Sequence, residues 1–163
     1  MADTGGKRLT HVTEAGAVRM VDVGEKPATR REATATGRLR AGREALNLIR
    51  EGTAPKGDVL AAARIAAILA AKRTADWIPL CHPLPLSGTD VAIAVGEDAV
   101  DVTVTVRTTG PTGVEMEALT AVAAGLLTVY DMLKAVDRGM VLGEIRLLQK
   151  SGGRSGRYRR QDS

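Results

Sequence analysis

Asp131 and Lys134 stand one helical turn apart in TVYDMLKAVDRGM, between Val129 and Val136. On a solvated helix an i,i+3 pair of opposite charge contributes only tenths of a kcal/mol. Inside an apolar stretch the same pair is partly enclosed, costly unless matched, and each charge shifts the other's pKa. A lysine placed this way suits proton transfer; the plainer reading is a structural ion pair. Lys56, in Lys56-Gly57-Asp58, stands just before an apolar helix. A helix N-terminus favours anions, so a phosphate or an enolate-like oxygen would find a cation beside it. The bland alternative is a solvated loop lysine ahead of a capped helix. The segment is not a Walker A loop: Gly52 and Gly57 have the spacing, but Asp58 stands where that motif needs lysine.

Cys81 and His82 lie in IPLCHPLPL, whose prolines at 79, 83 and 85 exclude both helix and central strand. A rigid extended loop holds a side chain in one orientation, as binding or catalysis needs. For a metal, only His11 offers a second imidazole. For a thiol nucleophile a base is missing, because adjacent residues rarely pair productively. A buried cysteine beside a hydrogen-bonded histidine is the structural alternative. Glu115 and Glu117 fall in the first turn of the longest helix, where the dipole stabilises acids by roughly 0.3–1 kcal/mol. Thr112 and Glu115 match a capping box; Glu117 points to another side and has less structural excuse. Finally, KSGGRSGRYRR from Lys150 is basic and Gly-rich. It is either a solvated tail or an element that wraps a polyphosphate.

These residues need a scaffold, and 163 residues are enough for one domain with one core. With 44% hydrophobic and 26% charged residues the chain has a soluble globular balance. No uninterrupted apolar run reaches the ~18–20 residues of a membrane span. The first residues, MADTGGKRLTH, lack the apolar stretch of a signal peptide. A lone cysteine rules out a disulfide framework and a thiolate-rich zinc site, and the expected compartment is the cytoplasm. The net charge of +4 is accounted for by Lys150, Arg154, Arg157, Arg159 and Arg160 against Asp162, so the body is formally neutral. That argues against a nucleic-acid-binding face on the fold. With no Phe, one Trp and two Tyr, alanine and valine must fill the core. Small side chains bury little area each, so the chain gains by burying surface between subunits, and an oligomer is expected.

Residues 1–17 read as a polar arm and 17–23 as a short apolar stretch. Thr29–Leu39 alternates like a strand with one solvated face. A short helix fits Gly42–Gly52. A second fits Asp58–Thr74, capped by Asp58 and apolar nearly all round, so buried. Thr89–Val95 and Val100–Thr108 read as a hairpin through Gly96–Ala99, with Val100, Val102, Val104 and Val106 on one face. The longest helix is expected over Thr112–Asp137, ended by Gly139. One stripe on it is large (Leu119, Val122, Leu126, Val129, Leu133, Val136). The other is small (Ala118, Ala121, Gly125, Thr128, Met132, Ala135), so the helix packs on two sides, a sheet and another helix. A last strand fits 141–149, and the residues beyond it are flexible in composition. Hairpins mixed with helices predict an α+β layer fold with helices on one face. No internal repeat is visible.

Together the motifs closely resemble one family. KGDVLAAARIAAILAAKRT, IPLCHPL, TGVEMEALTA, TVYDMLKAVDRGM and KSGGRSG, in this order and spacing, are similar to the molybdenum cofactor biosynthesis protein C family, the cyclic pyranopterin monophosphate synthases. LTHVTEAGAVRMVDVGEKPATRREA looks like that family's opening, so the resemblance runs from about Leu9 to Gly156. It implies a ferredoxin-like α+β subunit and a hexamer built as a trimer of dimers. It implies a lyase that converts 3′,8-cyclo-7,8-dihydroguanosine 5′-triphosphate to cyclic pyranopterin monophosphate and diphosphate, with no redox cofactor and no firmly required metal. By motif match Asp131, Lys134 and Lys56 are its catalytic residues. Leu80, Cys81, His82, Met116 and Glu117 fall at substrate-contacting positions, and Glu115, Arg31 and Lys150 line the site. Leu133, Ala67 and Pro55 depart from residues common in the family; Pro55 bears on how Lys56 is presented. The rivals are a nucleotide- or nucleic-acid-binding module led by the basic tail, for which aromatic stacking residues are scarce, and a structural helical oligomer.

Glu117 and Asp131 lie about 40° apart around a helix axis and ~21 Å apart along it. If that helix is continuous, they cannot both touch one reacting centre in one chain. Two antiparallel copies related by a two-fold axis would bring Glu117 of one near Asp131 of the other, which predicts a site at a subunit interface, two per dimer.

Overall fold

The structure is a computed structural model and describes residues 16–161. His11 and all but the end of the expected arm lie outside the described residues. The elements follow the expected order, with two additions. They are β1 (Thr29–Arg40), α1 (Arg43–Glu51), α2 (Val59–Lys72), α3 (Thr74–Trp77), β2 (Leu86–Val95), β3 (Ala99–Gly110), α4 (Glu115–Leu133), β4 (Val141–Ser151) and β5 (Tyr158–Arg159). The strands form one antiparallel sheet in the order β2-β3-β1-β4-β5. Helices pack against it in the α+β, ferredoxin-like manner, with α2 and α4 as the principal layer.

Alternation decides which face of the sheet is covered. Ala33, Ala35 and Leu39 of β1 and Val100, Val102, Val104 and Val106 of β3 are fully buried beneath the helices. The opposite face is polar and self-paired. Thr34 and Thr36 hydroxyls meet those of Thr105 and Thr103, each at 2.9 Å, and Arg38 binds Asp101 through two hydrogen bonds. Glycine lets α4 sit this close. A Cβ at Gly37 would fall within 3 Å of Val122, Leu126 and Ile145, so the large stripe of α4 rests on the bare backbone of β1. The small stripe meets α2, where Gly125 lies against Ala63 and Ala67. By length and apolar composition α4 would also pass for a membrane span, but 56% of that stretch is buried inside the protein.

Four expectations change. α2 is not buried all round: Ile65 is 60% and Leu69 47% exposed, because one layer of helices covers the sheet and, among the described residues, nothing covers this part of its outer face. The capping box is absent: the helix starts at Glu115 with Val114 at its N-cap, which puts Glu115 too early to reach back to Thr112. α4 ends at Leu133, and Gly139 does not cap it. The C-cap is Lys134, whose N–H donates to the Tyr130 carbonyl, and beyond it the Asp137 carboxylate accepts from the Gly139 N–H at 2.8 Å and from the Gly42 N–H at 2.7 Å, at the start of α1. The residues after Lys150 fold back: Gly152, Gly153 and Gly156 adopt positive φ, and β5 pairs with Gln149 and Lys150 at the edge of β4.

Candidate active site

The proposed site residues gather at the two ends of the α2–α4 layer. The alternating connections make α2 and α4 antiparallel, so the start of α2 lies beside the end of α4. There the loop after α1 reverses at Gly52 and is pinned by Ala54, which is buried and accepts from the Gly57 N–H at 2.9 Å. Pro55 is exposed on this loop and leaves Lys56 free to reach across. Its ammonium donates to the Asp131 carboxylate at 2.7 Å and to the Asp131 main-chain carbonyl at 2.9 Å. Lys134 reaches the other carboxylate oxygen at 2.8 Å. Two cations therefore share one anion at the negative end of α4, where the helix dipole favours cations.

The hydrogen bonds from Lys134 and then Lys56 hold the Asp131 carboxyl down at about 2, and Asp131 in turn holds Lys134 above its usual value. Each of the three side chains is about half exposed, so the pair is less enclosed than its apolar neighbours imply. Lys56 does not serve the N-terminus of α2. That position is taken by Asp58, which accepts from the Ala61 N–H at 2.9 Å.

At the other end, the proline loop lies over the start of α4. Leu80, Cys81, His82, Glu115, Met116 and Glu117 line one cleft of about 350 Å3. Glu117 is only 4% exposed, and burial, aided by the charge of Glu115, raises its carboxyl to about 7 despite a hydrogen bond from its own backbone. Burial and then the charge of Glu117 also raise the Cys81 thiol, which disfavours the thiolate a nucleophile requires. The far wall of this cleft is Val21, Val23 and Lys26, and His82 Nε2 lies 2.9 Å from the Val21 carbonyl oxygen.

Arg31 and Lys150 stand apart from the proline-loop cleft but at the same end of the sheet. Arg31 donates to the carbonyls of Gly110 (3.4 Å) and Pro111 (3.2 Å) and lines a larger cleft of about 760 Å3 with Lys26, Thr29 and Arg154. Gly153 crosses over it so closely that any Cβ would strike the Arg31 guanidinium. Lys150 donates to the Ser155 hydroxyl and lines a separate cleft with Glu32, Arg157 and Arg159. Arg154 is one of the tail cations noted in the sequence, whereas Lys26 lies within the family-like opening and is not among the candidate residues. Lys26 borders both the Cys81 cleft and the Arg31 cleft, and its only local signal is the tight VGEKP turn. Among the described residues, no three His, Cys, Asp or Glu side chains are placed to hold a metal ion.

The site side chains from Val21 to Lys150 fall within a single match: residues 20–153 fit the model of the MoaC family. The chain belongs to the MoaC family. Its similarity to individual members is nearly end to end. It is 59% identical over 156 residues to the cyclic pyranopterin monophosphate synthase of Thermomicrobium roseum, covering 94% of each chain. It is 57% identical to that of Streptomyces griseus, over 94% of this chain and 86% of the relative. It is 56% identical to that of Novosphingobium aromaticivorans, over 93% and 96%. In this MoaC chain Lys56 and Lys134 each contact Asp131, and the proline loop lines one cleft with Glu117. One helix of 19 residues separates the two groups.

Proposed function

We propose that this chain is a cyclic pyranopterin monophosphate synthase of molybdenum cofactor biosynthesis. It is a lyase that rearranges 3′,8-cyclo-7,8-dihydroguanosine 5′-triphosphate to cyclic pyranopterin monophosphate and releases diphosphate. The observation that carries this reading is similarity across more than nine tenths of the chain to enzymes of that name. Nothing favours a nucleic-acid-binding module: the basic tail is folded onto the edge of β4.

The residues divide the chemistry by charge state. Opening and re-closing a purine ring requires proton transfers to and from nitrogen and carbon, which suit a group that titrates near neutrality. Glu117 is that group, protonated and ionised in comparable amounts at about pH 7. Lys134, held charged by Asp131, donates a proton or binds an anion more readily than it accepts a proton. For the cyclic phosphate, a sugar hydroxyl oxygen attacks the α-phosphorus and the bond to the β-phosphate oxygen breaks. Diphosphate leaves with the bonding electrons, and the hydroxyl proton passes to a carboxylate. Lys56, Lys134 and the arginines around Arg31 neutralise the charge that builds on the phosphate oxygens.

Because α4 is continuous, Glu117 and Asp131 of one chain cannot serve one reacting centre, and the working unit is a dimer with composite sites. The outer face of the helical layer supports this: Ile65, Leu69, Trp77 and Leu127 are each roughly half exposed, and a groove lined by Leu69, Trp77 and Leu127 also borders Asp131. Three such dimers make the hexamer. We take the compartment to be the cytoplasm, where a chain with one free cysteine needs no oxidising environment. The test is incubation of the purified protein with the cyclic nucleotide triphosphate. Diphosphate and the pterin should appear together; well-folded protein that yields neither contradicts the assignment.

A further inference from the structure

Among the described residues, the segment before β1 adds nothing to the core, yet it reaches across to the proline loop. Its turn is tied internally. The Gly24 N–H donates to the Asp22 carboxylate at 2.8 Å and the Lys26 N–H to the Val23 carbonyl at 3.0 Å. Val18 and Met20 remain 69% and 50% exposed, and Val21 and Val23 are half-buried against the cleft. It meets the loop at Val21, whose carbonyl oxygen lies against His82.

A carbonyl oxygen has no proton, so the Nε2–H of His82 must donate to it. A neutral imidazole carries one ring proton, and Nδ1 is then the nitrogen with a free lone pair. We propose that the main-chain carbonyl of Val21 is a positioning group for His82, fixing the Nε2–H tautomer so that Nδ1 is the ring's only proton acceptor at the cleft. The inference rests on the reading that places the reaction in this cleft. When Nδ1 takes a proton from substrate, the ring becomes imidazolium. The Nε2–H stays on the Val21 carbonyl, which stabilises the positive charge. When Nδ1 returns the proton, the same tautomer is restored with no ring flip. The charged groups that face this ring across the cleft are Glu117 and Glu115 from α4 and Lys26 from the segment itself.

The test is nitrogen NMR of the full chain labelled with 15N-histidine. The sequence has two histidines, and His11→Gln identifies the signals of His82. At a pH where the ring is neutral, Nε2 should give the shift of a protonated ring nitrogen and Nδ1 that of an unprotonated one. Removing residues 1–22 should convert His82 to a mixture of tautomers and lower kcat by ~10–100-fold, the scale of partners that fix an imidazole. KM should change less than about threefold. If the truncated chain does not melt cooperatively, Asp22→Ala, which opens the turn behind Val21, is read in the same way. An Nδ1–H tautomer in the full chain, or a pure Nε2–H tautomer that survives both changes, overturns the proposal. The tautomer is read without turnover. A fixed Nε2–H with no product formation would therefore overturn the reaction assignment alone.

Discussion

Glu117 and Asp131 stand at opposite ends of one unbroken helix, ~21 Å apart along its axis, and their carboxyls are shifted in opposite directions. Burial holds Glu117 protonated up to about 7, whereas two lysine ammoniums hold Asp131 ionised down to about 2. One helix thus holds a buried acid with a raised pKa at its start and a fixed anion at its end.

The Glu117 shift is also a statement about stability. Its folded-state pKa lies above the ordinary carboxylate value, so between about 4.5 and 7 the unfolded chain loses a proton that the folded chain keeps. Stability contributed by the neutral buried acid is complete below that window and is lost as the pH rises through about 7. Glu117→Gln keeps the shape without the charge. Its melting temperature should equal that of the native chain at pH 4 and exceed it by about 5 °C at pH 8. Equal melting temperatures at both values would show that Glu117 is not an acid in an apolar site. Asp131 acts in the other direction, with a contribution present above its ordinary value and lost as the pH falls through about 2.

Lys56→Ala and Lys134→Ala should each lower kcat by at least ~100-fold, as expected for a positioned acid or cation at a reacting centre. Their melting temperatures should stay close to the native value, because exposed ion pairs contribute ~0–1 kcal/mol. Steady-state kinetics beside thermal melts separates the outcomes. Near-normal turnover rejects a lysine's role, and a lost cooperative transition makes it structural.

Elements with a strong period were legible in the sequence. β3 alternates valine with polar residues, the stripes of α4 assign one side to the sheet and one to α2, and Asp58 marks the start of α2. What failed depended on contacts distant in sequence. Beyond the end of α4, Asp137 binds Gly42 at the start of another element, which no local signal announces. The basic tail looked flexible because glycine and arginine dominate it, but the same glycines supply the positive φ values of a reversing loop. For the site, residue types and motifs named the groups, and helical geometry placed Glu117 far from Asp131. The reach of Lys56 to Asp131, and of Val21 to His82, comes from the topology, which brings residues 75 and 61 positions apart into contact.

The folded-back tail sharpens a further expectation. Gly152 and Gly153 pack over Arg30 and Arg31, and Arg154 lines the Arg31 cleft. Deleting residues 152–163 leaves every buried core residue in place. The truncated protein should melt cooperatively and raise KM for the triphosphate by about tenfold at low salt. An unchanged KM would mean that the tail only covers the edge of β4.

The central claim is that Glu117 of one chain and Asp131 of another complete a single site. Glu117→Ala and Asp131→Ala proteins, each inactive alone, should regain part of the native turnover when mixed under conditions that allow subunit exchange. Random pairing into dimers forms mixed dimers in which one of the two sites carries both native residues. Mass spectrometry of isotope-labelled subunits establishes that exchange has occurred. Recovered activity that rises with the mixed fraction is the result this account predicts. Confirmed exchange with no recovered activity would place each site within one chain and contradict it.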